Sequence, residues 1–401
     1  MEKEPVLVIS TPQSWDIEID STIKNLAREF AKERRVIFMN SPLDHITRLR
    51  NPDNRSYQHK LAVVQGREPD LRVITHNLMV LDFPFMLFSV NKLPWAWLFN
   101  FFNYLNNWRI ARYLKKRLDA LQCGEIILFA DTDIYRSFYL KELLKPRLSV
   151  YYKRDQVIGF DYFKRHGVRL EPLLMKKSDL VITNSRYFAE QAREHNHHSF
   201  DVETGVDTEA FSPSVMRPEP DDMKPIPYPR VGYFGVIIAE RLDIELLDAI
   251  TQQRPDYQFV MVGPEDEAFA SHPMHQRKNV WFLGKKDPGE IPGYAQHFDV
   301  CINPQVVNDI TMGNYPLKVD QYLALGKPVV ATETHTMKHI FATTSYLAAS
   351  PEAFANQIDE AIREINDPSL RQKRLELAAS HSWSKVANKI WKIIASFLDN
   401  K

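Results

Sequence analysis

The sequence predicts an α/β protein made of two doubly wound, Rossmann-like domains facing a cleft. Three observations carry this. Short, continuous apolar runs alternate with stretches of helical spacing, the pattern of strands buried on both faces beneath crossover helices. The alternation stops at a proline-dense stretch and then restarts. The length, 401 residues, exceeds one ordinary domain and suits two.

Val6–Ser10 reads as a buried strand, and 17–32 has helical spacing through Ile19, Ile23, Leu26, Ala27 and Phe30. Further strands are expected at 35–40, 72–75, 125–130, 148–152 and 179–184. Residues 212–230 hold six prolines in 19 positions, a density that excludes helix and strand and reads as a linker. Strands resume at 231–236, 258–262, 280–283, 299–303 and 328–332. The resulting division is a first domain at 1–210, a linker at 211–229, a second domain at 230–382 and a final helical segment at 383–401. Ligands of such sheets sit at the carboxyl ends of the strands, so the residues just after each strand matter most.

Composition excludes several classes. Lys+Arg and Asp+Glu both number 51, so nothing marks the chain as a nucleic-acid binder. Cys123 and Cys301 are the only cysteines, too few and too far apart for a disulfide framework or a cysteine-rich zinc site. The N-terminus, MEKEPVLVIS, is too acidic and its apolar run too short for a signal peptide, and no run is apolar enough to span a bilayer. A cytoplasmic protein is expected. Neither GxGxxG nor GxxxxGK[ST] follows any strand, and only 13 glycines are present, which disfavours dehydrogenases and P-loop enzymes.

Several constellations remain. Lys318 falls in the first turn of a helix opening at Pro316, where free N–H groups, the positive helix end and a full charge together suit an anion. Asp155 lies beyond the strand 148–152, placed to orient or deprotonate a hydroxyl, with Asp131 and Asp133 next in rank. Asp179 and Asp207 suit turns, and Ser185 a helix cap. The clustered His195, His197 and His198 lack ligand spacing, so no metal is expected. Residues 83–116 are rich in aromatics, with Asn100, Asn103 and Asn107 on one helical stripe and Arg109, Arg112 and Lys116 following. Such a helix is either core or a peripheral membrane contact at the inner face of a bilayer; a dimer face is a third reading.

The segment SDLVITNS (178–185), followed by ETGVDTEAFSP (203–213), resembles the signature that closes the first domain of GT-B glycosyltransferases, in the family-4-like group 1. PLKVDQYLALGKPVVAT (316–332) resembles a second segment of that group. Weaker likenesses lie at YFGVI (233–237), FVMVGP (259–264), NVWFLG (279–284) and FDVCINP (298–304), in order across about residues 150–380. The resemblance implies transfer of a sugar from a nucleotide-diphospho-sugar, the donor being a substrate, with no cofactor. The acceptor would be a saccharide or lipid-linked hydroxyl in cell-envelope polysaccharide or glycolipid synthesis. It implies retention at the anomeric carbon and a last helix packing back toward the first domain. It makes Lys318 and Arg241 the diphosphate contacts, beside Asp155 as third catalytic candidate. Donor binding would fall to Gly235, Gly263, Gly284, Asn314, Asp320 and Gln321, with backbone N–H groups from 309–315. The group's paired glutamates are missing: their positions hold Gly313 and Gln321, and an amide can still meet a hydroxyl. A nucleotide-sugar 2-epimerase-like enzyme and a non-catalytic relative acting as a scaffold stay open as alternatives.

Overall fold

The computed structural model describes residues 4–17, 21–45, 55–159, 161–308 and 311–399. Two compact units are present. The first is formed by the chain up to Glu203 and again from Val386; the second is Thr204–Lys385.

The first unit contains β1 (Val6–Ser10), α1 (Thr22–Ala31), β2 (Val36–Met39), α2 (Arg55–Val64), β3 (Leu71–Val73), β4 (Leu78–Leu81) and α3 (Ala96–Ala120). It continues with β5 (Ile126–Asp131), α4 (Leu140–Leu144), β6 (Leu148–Lys153), α5 (Asp161–Lys177), β7 (Leu180–Thr183), α6 (Arg186–Arg193) and β8 (Ser199–Asp201). The sheet order is β3-β4-β2-β1-β5-β6-β7-β8, parallel throughout except for β3. Val8 of β1 lies between Ile37 and Leu128 of its neighbours, and all three are buried. Strand order reverses direction between β1 and β5, which sets the switch point where such sheets take ligands.

The second unit contains β9 (Arg230–Phe234), α7 (Ile244–Gln253), β10 (Gln258–Val262), α8 (Glu267–Ala270), β11 (Val280–Phe282), α9 (Ile291–Gln296) and β12 (Val300–Asn303). It ends with α10 (Leu317–Ala324), β13 (Val329–Thr332), β14 (Tyr346–Ala348), α11 (Pro351–Arg363) and α12 (Pro368–Ser380). The order β11-β10-β9-β12-β13-β14 is fully parallel and places its switch between β9 and β12. Apolar layers cover both faces, one around Phe234, Phe298 and Tyr322, the other around Leu247, Ile250 and Phe354. The last helix, α13 (Trp383–Leu398), belongs to the first unit from Val386 onward.

Two expectations are corrected. The strand read at 72–75 is the short antiparallel edge β3, with Val73 70% exposed; the buried parallel strand is β4. Its apolar run merges with the following FPFMLF, which blurred its limits. The stretch 211–229 is not a free linker. Met223 and Ile226 are buried in the second unit's core, and the buried Arg230 guanidinium donates to both their carbonyls and pairs with Glu219. Prolines prevent a regular element there but not packing. The first part of the helix expected from residue 17 includes residues 18–20, which lie outside the described ones.

Arg230→Ala should therefore destabilise the second unit by about 3 kcal/mol, since it strips the buried hydrogen bonds to the Met223 and Ile226 carbonyls. Urea unfolding measures this. A loss under about 0.5 kcal/mol, the range of surface substitutions, would mean that 211–229 is loosely attached after all.

Candidate functional site

At the switch of the second unit, β9 ends and the chain turns at Gly235 (φ +132°), beside Gly263 (φ +152°) at the end of β10. A Cβ on Gly263 would lie 1.8 Å from the Gly235 carbonyl oxygen, and one on Gly235 would lie 2.1 Å from Lys318 Cε. Positive φ favours glycine at both positions, and at Gly263 the fixed backbone also leaves no space for a side chain. The Gly235 N–H donates to the Val262 carbonyl at 2.8 Å, tying the two turns together. The Lys318 stem thus lies across Gly235, with Nζ 5.3 Å from the Tyr233 ring centroid. Among the described residues Lys318 has no carboxylate partner. No side chain caps α10, so the positive helix end adds to its charge.

Arg241 lies on the loop from β9 to α7 and is exposed. Asp243 does not neutralise it: that carboxylate caps α7 by accepting from the Leu246 N–H at 2.9 Å. The loops after β9 and β12 are stitched by backbone bonds, Val306 N–H to the Arg241 carbonyl and Asp243 N–H to the Pro304 carbonyl, both 3.0 Å. Around this edge Asn303 Nδ2, Asn314 Oδ1 and Thr332 Oγ1 are buried without a partner among the described residues. Buried polar atoms of this kind are met by ordered water, an ion or a polar ligand.

The remaining predicted donor residues divide. Gln321 is half-buried, its side chain makes no hydrogen bond among the described residues, and it shares a face of α10 with Lys318 at i, i+3. Gly284 (φ +68°) is a turn glycine after the edge strand β11, two strands from β9, with open space around it. Of the loop 309–315, residues 309 and 310 lie outside the described ones. Asp320 is a correction. It is wholly buried; Tyr315 donates to its Oδ2 at 2.6 Å, and His381 Nδ1 lies 2.8 Å from Oδ1. Its carboxylate braces α10 against the turn before α13. Helical geometry explains this, since residues adjacent on α10 point about 100° apart.

At the switch of the first unit two carboxylates, Asp131 and Asp133, are each faced by an arginine, Arg154 and Arg136. Thr11 Oγ1 donates to Asp131 Oδ2 at 2.7 Å, and Ser10 Oγ donates to Asp133 Oδ2 at 2.9 Å. Between the carboxylates Thr132 has φ +48°, a strained conformation for a β-branched residue. Arg154, following β6, donates to Asp131 Oδ1 at 2.7 Å and to Asp155 Oδ2 at 2.9 Å. Asp155 thus stands beyond β6 where the sequence put it, but as half of an ion pair. Asp133 is buried, and burial pushes its carboxyl up, against the pull of Arg136. Sequence reasoning offered the Arg154–Asp155 pairing as an alternative for Asp155 but missed Ser10, Thr11 and Arg136; the polar runs ST and DTD at the ends of buried strands were the available signal.

Nearby, Asp16, His59 and Asp82 present ligand atoms within 4.8 Å of one another, the one metal-like grouping among the described residues. Arg72 already occupies both carboxylates, at 2.7 Å to Asp16 and 3.0 Å to Asp82. That set reads as an ion-pair network. Lys60 on the same helix as His59 is pushed down to about 8 by burial.

Asp320→Ala should lower stability by about 2–4 kcal/mol, because Tyr315 and the buried His381 lose their shared acceptor. Asp320→Asn should restore part of it. A thermal melt in which Asp320→Ala matches the parent chain would return Asp320 to the ligand side of α10.

Comparison with known proteins follows the same division. Residues 229–364 match the family model described as Glycosyl transferases group 1. A Bacillus subtilis (strain 168) protein, TuaH, named for a teichuronic acid biosynthesis glycosyltransferase, is 26% identical over 278 residues, covering 62% of this chain and 68% of the relative. Among solved structures, HepE of Anabaena in complex with UDP has a TM-score of 0.66 at 15% identity, covering 98% of this chain and 100% of its own. The sucrose-phosphate synthase of Thermosynechococcus elongatus also has a TM-score of 0.66, at 16% identity and full coverage of both chains. At such identities the solved structures speak for the fold alone: the chain shares the two-unit GT-B fold of these proteins, and residues 229–364 of its second unit are similar to the group 1 glycosyl transferases.

Proposed function

We propose that this protein transfers a sugar from a nucleotide-diphospho-sugar to an acceptor hydroxyl. The observation that carries the reading is Lys318, an unneutralised cation laid across Gly235 at the β9–β12 switch, at the open N-terminus of α10. Charge develops on the departing diphosphate as the glycosidic bond breaks. Lys318, Arg241 and the helix end supply fixed positive potential where that charge appears. Gln321 and the unmet polar atoms of Asn303 and Asn314 are the groups available for ribose, sugar or phosphate oxygens. Uridine is the base favoured by likeness to HepE, solved with UDP and with UDP-glucose.

The first unit takes the acceptor. Asp133, whose carboxyl burial holds protonated to higher pH, and Asp155 are the groups suited to orient the attacking hydroxyl. The likeness to TuaH supports an acceptor of the cell-envelope polysaccharide class, either a saccharide or a lipid-linked one. Retention at the anomeric carbon belongs to this reading through the group 1 resemblance, and the cationic site supports chemistry without a metal.

Two results are expected. UDP should raise the melting temperature of the parent chain. Lys318→Ala should remove most of that rise and slow turnover of UDP-sugars on the order of 10²-fold, with the ligand-free melt unchanged. Equal kinetics at limiting and saturating donor would take Lys318 out of the site, and UDP binding without turnover of any donor would favour a non-catalytic relative. Turnover should also survive complete chelation by EDTA. If chelation abolishes it and a divalent ion restores it, the electrostatic role given to Lys318 and Arg241 is wrong.

A further inference from the structure

The helix α3 is built inside out. Its buried face carries Asn103, Asn106 and Asn107 beside Phe99, Ile110 and Leu114, while its outer face carries the aromatics. The asparagines are satisfied within the unit. Asn103 and Asn107 both donate to the Tyr135 carbonyl at 3.0 Å, and Asn106 exchanges two 2.9 Å bonds with the backbone of Phe88. Outward, Trp97 is 68% exposed, Phe101 57%, Tyr104 45% and Trp108 41%, at spacings of four, three and four residues along one stripe. Trp95, 60% exposed, stacks against Trp97. An asparagine stripe inside and an aromatic stripe outside reverses what folding alone selects. A face of this kind is a contact surface.

The same stripe continues into cations. Arg112, Lys115 and Lys116 are exposed, without ion-pair partners among the described residues, and line a groove of about 460 Å³ with Trp108. Arg112 lies 5.3 Å from the Trp108 ring centroid. Asp119 is the one carboxylate on that groove. Two other members of the basic run are spent on the fold: Arg109 donates to the Met86 carbonyl, and Arg117 pairs with Asp70.

We propose that the outer face of α3 lies flat on an anionic phospholipid bilayer, Trp97, Phe101, Tyr104 and Trp108 entering the interface and Arg112, Lys115 and Lys116 meeting headgroup phosphates. Charge selects this occupant. A second copy would bring three cations and one carboxylate against the same set, whereas an anionic headgroup layer neutralises all three. Tryptophan and tyrosine favour the headgroup level, where one end of the ring is apolar and the other wet. At 25 residues the helix is about 37 Å long, enough to lie along a surface. No helix among the described residues is long and apolar enough to cross a membrane, so the contact is interfacial. This rests on the exposed face alone and stands apart from the glycosyl-transfer reading.

The test is co-sedimentation of the full chain with phosphatidylglycerol–phosphatidylcholine vesicles and with phosphatidylcholine vesicles, at low and high salt. Binding to the anionic vesicles at low salt is expected, with a blue shift of tryptophan fluorescence. Lys115→Ala and Lys116→Ala should each weaken it about fivefold, and added salt should remove the same component. Trp97→Ser with Phe101→Ser should abolish the part that survives salt. These positions are exposed, so melts unchanged from the parent chain verify folding, and the lysine variants decide alone if the aromatic pair does not fold. No binding to anionic vesicles at low salt, equal binding to neutral ones, or binding indifferent to the lysine variants would overturn the proposal. So would a dimer in sedimentation velocity that the aromatic variants dissolve.

Discussion

No methyl group fits at Gly263, because the Gly235 carbonyl oxygen already occupies its place. That contact holds the turns after β9 and β10 together and leaves the surface above Gly235 flat enough for the Lys318 stem. The rest of the second unit keeps α10 where this arrangement needs it. Phe234 N–H donates to the Tyr322 hydroxyl at 3.1 Å, fixing the helix to β9, and Asp320 fixes it to Tyr315 and His381. The cation is therefore placed by packing and buried hydrogen bonds before any anion arrives. Preorganisation of this kind makes an electrostatic contact effective in catalysis, since no reorganisation is left for the reacting step.

The first unit places carboxylate–arginine pairs at the same position in its sheet. Its switch between β1 and β5 is lined by Asp131 and Asp133, hydrogen-bonded to Thr11 and Ser10, and held by Arg154. The strain at Thr132 is the backbone cost of presenting two carboxylates from the positions on either side of it. A cation-lined switch suits a diphosphate, and a carboxylate-lined switch suits hydroxyl groups.

Most of the fold was legible because strands buried on both faces leave continuous apolar runs, and those runs are long in β1, β5, β6 and β10. What was not legible follows from the same rule. β4 ran into neighbouring apolar residues, and β8 and β14 are too short to show a period. Lys318 and the glycine turns could be read because a helix start and a strand end are local features. Asp320 could not, since its fate depends on His381, 61 residues away. Nor could the Arg154–Asp131 pair, which joins two strand ends that only the sheet brings together. The direction in which α3 faces was hidden for a related reason. Asparagine reads as a surface residue until the backbone groups that satisfy it, at Tyr135 and Phe88, are in place.

The most direct measurement is a crystal structure of the complex with UDP. The diphosphate is expected above Gly235, within hydrogen-bond distance of Lys318 Nζ and close to the N-terminus of α10. A diphosphate bound elsewhere, or bound through a metal ion with Lys318 turned away, would contradict this placement.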